Sequence, residues 1–415
     1  MLSSRQRVLA TLNHREPDRV AVDLSGYRSS GISAIVYPKL RAALGLEPRT
    51  VYVYDPIQQL AIVDQDVLDL FGVDTIELGR EFCHDDRWWV DWILPDGTPC
   101  KMPVWAAPEK RPEKPNDGWI LRAADGRVLA RMPDGALHFD QIYWPLLEGG
   151  EDLSRLDDAF QGSMWSVFGS PPQPSITAQE LAAGARRLRA RTDRAIIGLF
   201  GGNLLEIGQM LFKMDQFLMM LAGEPQRVHR FLDALVEYHL ANLERFLGAV
   251  GSSIDVIVFG DDLGAQNGPQ ISPRMYREFF QPRETIMWAR AKQLADVKVM
   301  LHCCGAVRPL LPGLIEAGLD AINPVQISCR GMEAEGLKRD FGRDLTFWGG
   351  GCDTQSILPQ GTPEQVRSHV LRQCELMAPG GGFVFQQVHN ILANVPPANI
   401  IAMYGAVRKF DARKA

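Results

Sequence analysis

Eight short apolar runs, most of them separated by a single helix-like stretch, limit the folds open to this chain more than any other feature. They lie at 20–24, 74–78, 195–200, 254–259, 297–301, 320–324, 345–348 and 382–385. Apolar residues recur at helical spacing around Gln59 to Phe71, from Ala222 to Ala249 and from Pro282 to Leu294. A helix between two strands carries the chain over one face of the sheet to a parallel neighbour, so repeated units end with both faces covered. Eight units predict the α/β class and a (β/α)8 TIM barrel, expected to take up residues 1–415 as one domain. In such a barrel, functional side chains gather where the strands open into the loops that follow them.

One region breaks the rhythm. From Trp88 to Trp144 the chain reads as strands joined at Pro95-Asp96-Gly97, Ala124-Asp125-Gly126 and Pro133-Asp134-Gly135. Asp-Gly favours a tight hairpin turn because both central residues need positive φ. Pro103 to Pro115, rich in proline and charge, reads as loop. We expect an antiparallel β insertion over residues 84–145 that caps the barrel mouth and helps choose the substrate, dimer contact being its competing role. Tyr52, Tyr54, Trp88, Trp89, Trp92, Trp105 and Trp144 are expected to pack these hairpins; the second reading is an aromatic substrate pocket that includes Tyr54. Glu151 to Thr177, rich in Ser, Pro and Gly, reads as the return to the barrel.

A formal charge of −6, with no basic block interleaved with aromatics, argues against a nucleic-acid partner. Seven irregularly spaced cysteines do not suggest a disulfide framework. No run of about 18 uncharged apolar residues would span a bilayer, and Met1 to Arg7 lacks an apolar signal core, so a cytoplasmic location is expected. The expected partner is a small molecule or another protein, and a homodimer stays open.

Chemistry concentrates at two of the strand ends. Leu301-His302-Cys303-Cys304-Gly305 follows one apolar run, and Gly350-Gly351-Cys352-Asp353 follows another. Neutral imidazole and thiolate are ligands that zinc prefers, and a site with three protein ligands leaves a position for substrate. On a strand, His302 and Cys304 would share one side and Cys303 would point to the other. The bland alternative is a set of small core residues on buried strands. Phe259-Gly260-Asp261-Asp262 places adjacent acids at a further strand end, where Asp262 is a candidate for substrate chemistry and a helix cap the plain reading.

These motifs, together with Asn323-Pro324-Val325-Gln326, the run 347–355, Val388-His389-Asn390-Ile391 and Pro396 to Ile400, resemble the uroporphyrinogen decarboxylase superfamily. The likeness begins at Arg7-Val8-Leu9 and Arg15-Glu16-Pro17-Asp18-Arg19 and is closest to the methyltransferase branch, which moves methyl groups to or from corrinoid proteins. The resemblance implies a zinc ion held by His302, Cys304 and a third ligand. We favour Cys352 for the third and keep His389 as a ligand or substrate contact. Glu206 stands where the branch can supply a carboxylate, and Asn323 and Gln326 are carried over as substrate contacts. It further implies cobalamin delivered on a separate corrinoid protein, since no Asp-x-His-x-x-Gly cobalamin motif occurs here, and a small methylated substrate such as an aryl methyl ether or methylamine. The rival is a uroporphyrinogen-type decarboxylase, for which Asp64, Asp66 and Asp69 lie in the right neighbourhood. That enzyme's arginine-proline-glycine-arginine pattern is missing, and arginine forks are the natural partners of many carboxylates. A barrel that binds a small ligand without turnover is the third reading.

Overall fold

The computed structural model describes residues 1–110, 118–123, 125–148, 152–161 and 176–410. All eight apolar runs become strands of one sheet: β1 (Ala21–Val22), β2 (Thr75–Glu77), β3 (Ala195–Gly201), β4 (Val256–Gly260), β5 (Lys298–His302), β6 (Ala321–Asn323), β7 (Thr346–Trp348) and β8 (Phe383–Phe385). Neighbours pair in parallel from β2 through β8, and β8 pairs with β1. Between β1 and β2 the ring closes through the Asp74 amide, which donates to the Val22 carbonyl at 2.8 Å, and through the Asp74 carboxylate, which accepts from the Val22 amide at 2.9 Å. The result is an eight-stranded (β/α)8 barrel. No helix among the described residues is long and apolar enough to cross a membrane.

Alternation along the strands decides which residues fill the barrel. Ala195 and Ile197, Val256 and Val258, then Met300, Ala321, Trp348 and Val384 form one fully buried inner cluster. Their neighbours Ile196, Ile257, Leu301, Ile322 and Phe347 join the larger cluster between sheet and helices. The amino-terminal helix Ser4–Leu12 adds Val8 and Leu12 to the inner cluster and so plugs the barrel. Arg7, on the same helix, reaches Asp18 at 2.8 Å and the fully buried Asp74 at 2.6 Å, and Asp74 also takes Arg19 at 2.8 Å. The amino-terminal motif is therefore a clasp for the β1–β2 seam.

The stretch around Gln59 to Phe71 divides. Gln59 sits at φ 53°, Leu60–Ala61 pairs with Val53–Asp55, and the helix runs only from Gln65 to Phe71. Asp64 takes the N-cap position and turns its carboxylate to Tyr37 and Arg41, so the apolar spacing before it belongs to strand and turn.

Asp-Gly turns build the insertion as two small sheets. Trp89–Ile93 pairs with Pro99–Pro103, and Gly97 takes φ 86°. In the second sheet, Trp119–Arg122 pairs with Val128–Met132, which pairs with Asp140–Gln141, and Gly126 and Gly135 are again at positive φ. Part of the expected loop is strand, since Glu109–Lys110 pairs with Trp119 and Ile120; residues 111–117, Ala124 and 162–175 lie outside the described set. The aromatic residues pack edge to face, Tyr52 on Trp89 at 5.0 Å and Trp88 on Trp105 at 6.0 Å. Ile57, Ala130, Met132 and Phe139 close a third core that ties the insertion to the turn after Val53–Asp55. Phe139 donates its amide to Ile57, Gln59 donates to the Leu137 carbonyl, and Gln141 reaches the Met210 carbonyl on the helix after β3. These contacts seat the insertion over loops at the carboxyl ends of the barrel strands, the side on which His302 lies.

Candidate metal centre

His302 ends β5 two residues after the inward Met300 and takes the same side of the strand. It pairs in register with Gly260 of β4 and Asn323 of β6. Past the strand end, Cys304 Sγ lies 3.5 Å from His302 Nε2. Cys303 faces the opposite way, fully buried in the outer core, where its sulfur accepts the Leu263 amide at 3.3 Å.

His302, Cys304 and His389 converge: one ligand atom from each lies within 4.8 Å of the others. Cys352 is not brought to them. It is fully buried, and its thiol turns to the carbonyl of its neighbour Asp353 at 3.9 Å. His389, four residues beyond β8, stands where Cys352 was expected. The chain bends after each strand, so strand phasing places His302 and Cys304 but says nothing of a side chain several residues into a loop.

The imidazole of His302 is held by a directional chain. Gln386 Nε2 donates to the Ser29 carbonyl at 3.1 Å, which leaves Gln386 Oε1 to accept from Asn323 Nδ2 at 2.7 Å. Asn323 Nδ2 also donates to the Trp348 carbonyl at 2.8 Å, so Asn323 Oδ1 must face His302 Nδ1, at 3.1 Å. His302 thus carries its proton on Nδ1 and offers the Nε2 lone pair to the centre. Asn323, expected as a substrate contact, is fully buried and orients the histidine instead. Gln326 acts similarly on the loop, its Oε1 accepting the Gly305 amide at 2.7 Å. Gly305 itself sits at φ 93°, and a Cβ there would come within 2.4 Å of the Gly264 backbone, so the loops bearing Cys304 and Asp262 meet only because both are glycine.

Acids gather beside the triad. Asp262 Oδ1 accepts the Cys304 amide at 2.7 Å and lies 3.6 Å from His302 Nε2. Glu206 accepts from Asn203 Nδ2 at 2.6 Å, and burial, then Asp262 and Asp261, push its carboxyl well up. Asp261 accepts the amides of Leu204, Leu205 and Glu206, so it caps the helix Leu205–Phe212 and fixes Glu206 at its start. Burial, then Asp262, raises the Cys304 thiol well above its ordinary value. His389 is lowered to about 4 by burial and by His302, and stays neutral at pH 7. A divalent cation among these groups would reverse the sign of that mutual repulsion. Two imidazoles, a thiol and flanking carboxylates form a donor set that fits zinc.

Other expected residues fall elsewhere. Tyr54 lines a separate small cavity with Ser25, Glu77 and Arg80. Asp64 and Asp66 are taken up by Arg41, and Asp69 by Arg194. Two residues at the centre have no sequence motif. Ser29 Oγ lies 3.4 Å from His302 Nε2, and the ring of Tyr27 meets the imidazole edge to face at 6.2 Å. The Tyr27 hydroxyl is buried beside the Ser29 side chain. Burial, then the charges of Asp23 and Cys304, keeps it protonated. Only the three-dimensional return of the β1 loop to β5 identifies it.

The chain is similar in fold to a methyltransferase from Methanosarcina mazei, with 16% identity, 99% of each chain covered and a TM-score of 0.58. A xylanase from Penicillium canescens aligns at 9% identity over 58% of this chain and 83% of its own, with a TM-score of 0.31. No curated protein matches the sequence. Residues 169–410, more than half the chain and all the strands from β3 to β8, match the family model described as uroporphyrinogen decarboxylase (URO-D), and the chain belongs to that family.

Proposed function

We propose that this protein is a zinc-dependent methyltransferase that moves a methyl group between a small methylated compound and a corrinoid carried by a separate protein. The convergence of His302, Cys304 and His389 carries the reading. A decarboxylase that works by protonating pyrroles needs acids and carboxylate clamps, and gives no reason for two imidazoles and a thiol to share one ligand-sized space. The similarity in fold to a methyltransferase supports it. When bound, zinc supplies a Lewis acid that activates the heteroatom losing or gaining the methyl group.

The chain's own part is positional. His302 and His389 present imidazole nitrogens, and Cys304 presents sulfur once its proton is lost. Tyr27, kept protonated by burial, offers a donor to the substrate heteroatom. Glu206 and Asp262 hold or accept a proton at the rim, and the insertion shields the mouth from water. In place of Cys352, His389 is assigned as the third ligand. Incubation with cob(I)alamin and a panel of aryl methyl ethers, methylamines and methylthiols is expected to give the methylcobalamin spectrum with at least one donor. Formation of coproporphyrinogen from uroporphyrinogen would overturn the proposal.

Asn323 supplies a sharper test of how the centre is held. Asn323→Ala frees Nδ1 of His302 and lets the ring turn, which is expected to weaken zinc binding about 10–100-fold in competition with a chromophoric chelator. Asn323→Asp, which keeps an acceptor at the same place, should recover most of that loss. Equal affinity in wild type and Asn323→Ala would show that the hydrogen bond does not orient the ligand.

A further inference from the structure

His302 and His389 are held in different ways. The His302 ring is turned by the Asn323 side chain, whereas no described residue hydrogen-bonds the His389 ring, on which burial and the charges of His302, Asp262 and His138 act. Its place is therefore set by the backbone on either side. Before it, the Val388 amide donates to the Cys352 carbonyl at 2.8 Å; after it, the Ile391 amide donates to the Gly31 carbonyl at 3.0 Å and the Ile391 carbonyl accepts the Ser33 amide at 2.8 Å.

Asn390 closes the join between these loops. It is 3% exposed, its Oδ1 accepts the Gly31 amide at 2.7 Å, and its Nδ2 donates to Gln58 Oε1 at 2.8 Å. Gln58 in turn donates its Nε2 to Asp55 Oδ2 at 3.2 Å, so the run begins at a backbone donor, ends at a carboxylate and gives each amide one orientation. The turn that holds Asp55 and Gln58 also seats the insertion, since the Ile57 carbonyl accepts the Phe139 amide and Gln59 donates to the Leu137 carbonyl. Gly31 lies two residues beyond Ser29, whose Oγ is 3.4 Å from His302 Nε2. One side chain thus joins the β1 loop, the loop that carries His389 and the seat of the insertion.

We infer that Asn390 is a positioning residue of the proposed metal centre, fixing His389 through the backbone and tying that ligand to the turn under the insertion. A ligand already held in place loses less freedom when the ion arrives, so its support is read as metal affinity. The inference rests on the metal reading, and the experiment tells the two failures apart.

Zinc affinity of the full chain, by competition with a chromophoric chelator, and the visible spectrum of its cobalt(II) form are the measurements. Asn390→Ala is expected to weaken zinc about 10–100-fold and to shift the cobalt bands toward those of His389→Ala. Asn390→Asp, which keeps the acceptor for the Gly31 amide, should recover most of the loss. Gln58→Ala should cost a few-fold and add little to Asn390→Ala, because both act on one chain of hydrogen bonds. The decisive comparison is made in His389→Ala, where adding Asn390→Ala should change the residual cobalt affinity by less than about twofold. Thermal melts establish that each variant is folded, and should Asn390→Ala not fold, Gln58→Ala decides by itself in both backgrounds. Unchanged zinc affinity in folded Asn390→Ala, or an equal further loss in the His389→Ala background, would overturn the inference while leaving the metal centre in place. Unchanged affinity in Gln58→Ala would overturn the tie to the insertion. A folded wild type that binds no zinc would overturn the metal reading and this inference with it.

Discussion

His302→Ala, Cys304→Ser and His389→Ala are each expected to strip most of the zinc from the purified protein, while Cys352→Ser and Cys303→Ser leave the content near one ion per chain. With three protein ligands, losing one removes a large share of the binding energy and leaves two donors that cannot hold the ion against buffer. Cys352 stands apart from the centre with its sulfur on the Asp353 carbonyl, and Cys303 faces the outer core. The acid side follows from the same groups. Burial raises the Cys304 thiol well above its ordinary value, so it is protonated at neutral pH without the ion and must give up that proton to bind it. Loading is therefore expected to release about one proton per ion and to weaken as pH falls. His389, lowered to about 4, takes up no proton until well below neutrality and does not oppose loading at pH 7. Elemental analysis of the five variants, with proton release followed in weak buffer, checks both statements. Zinc retained by His389→Ala and lost by Cys352→Ser would reverse the assignment of the third ligand.

How much of this was legible in the sequence depends on how local each signal is. Buried parallel strands are short, mainly apolar runs, and all eight stood out by that apolar majority although Asp23, Glu77, Asp255 and Lys298 fall within them. The insertion was legible for a different reason, since its Asp-Gly turns are specified by two adjacent residues. Within the centre, His302 and Cys304 sit two apart at a strand end, where alternation fixes their side. Everything set by long-range closure was not legible. His389 lies in a loop whose path depends on packing against the β1 loop, so sequence reading preferred the more obvious soft ligand, Cys352. Asn323 and Gln326 were expected as substrate contacts because the family resemblance carried them over. Their hydrogen bonds to His302 and to the Gly305 amide exist only once β5 and β6 lie side by side. Gln386 and Gln387, directly after β8, are fully buried amides, and Gln386 accepts from Asn323 and so orients it, a role that shows only in the fold. Tyr27 carries no motif, and its place beside His302 comes only from the return of the β1 loop to β5.

The second large effect concerns turnover. On the proposed reading, removing zinc takes away the Lewis acid that activates the substrate heteroatom, while the tyrosine, the acids and the insertion remain in place. Rates of methyl transfer are therefore expected to fall by at least about a hundredfold, on the scale of a lost electrostatic stabiliser of a developing charge. The measurement that bears most directly on the central claim is methylation of cob(I)alamin by an active donor, followed spectrally, in protein stripped by chelation and then reloaded with one equivalent of zinc. The account predicts near-complete loss on stripping and recovery on reloading, with no recovery in Cys304→Ser. Undiminished transfer by protein shown to be free of metal would contradict it.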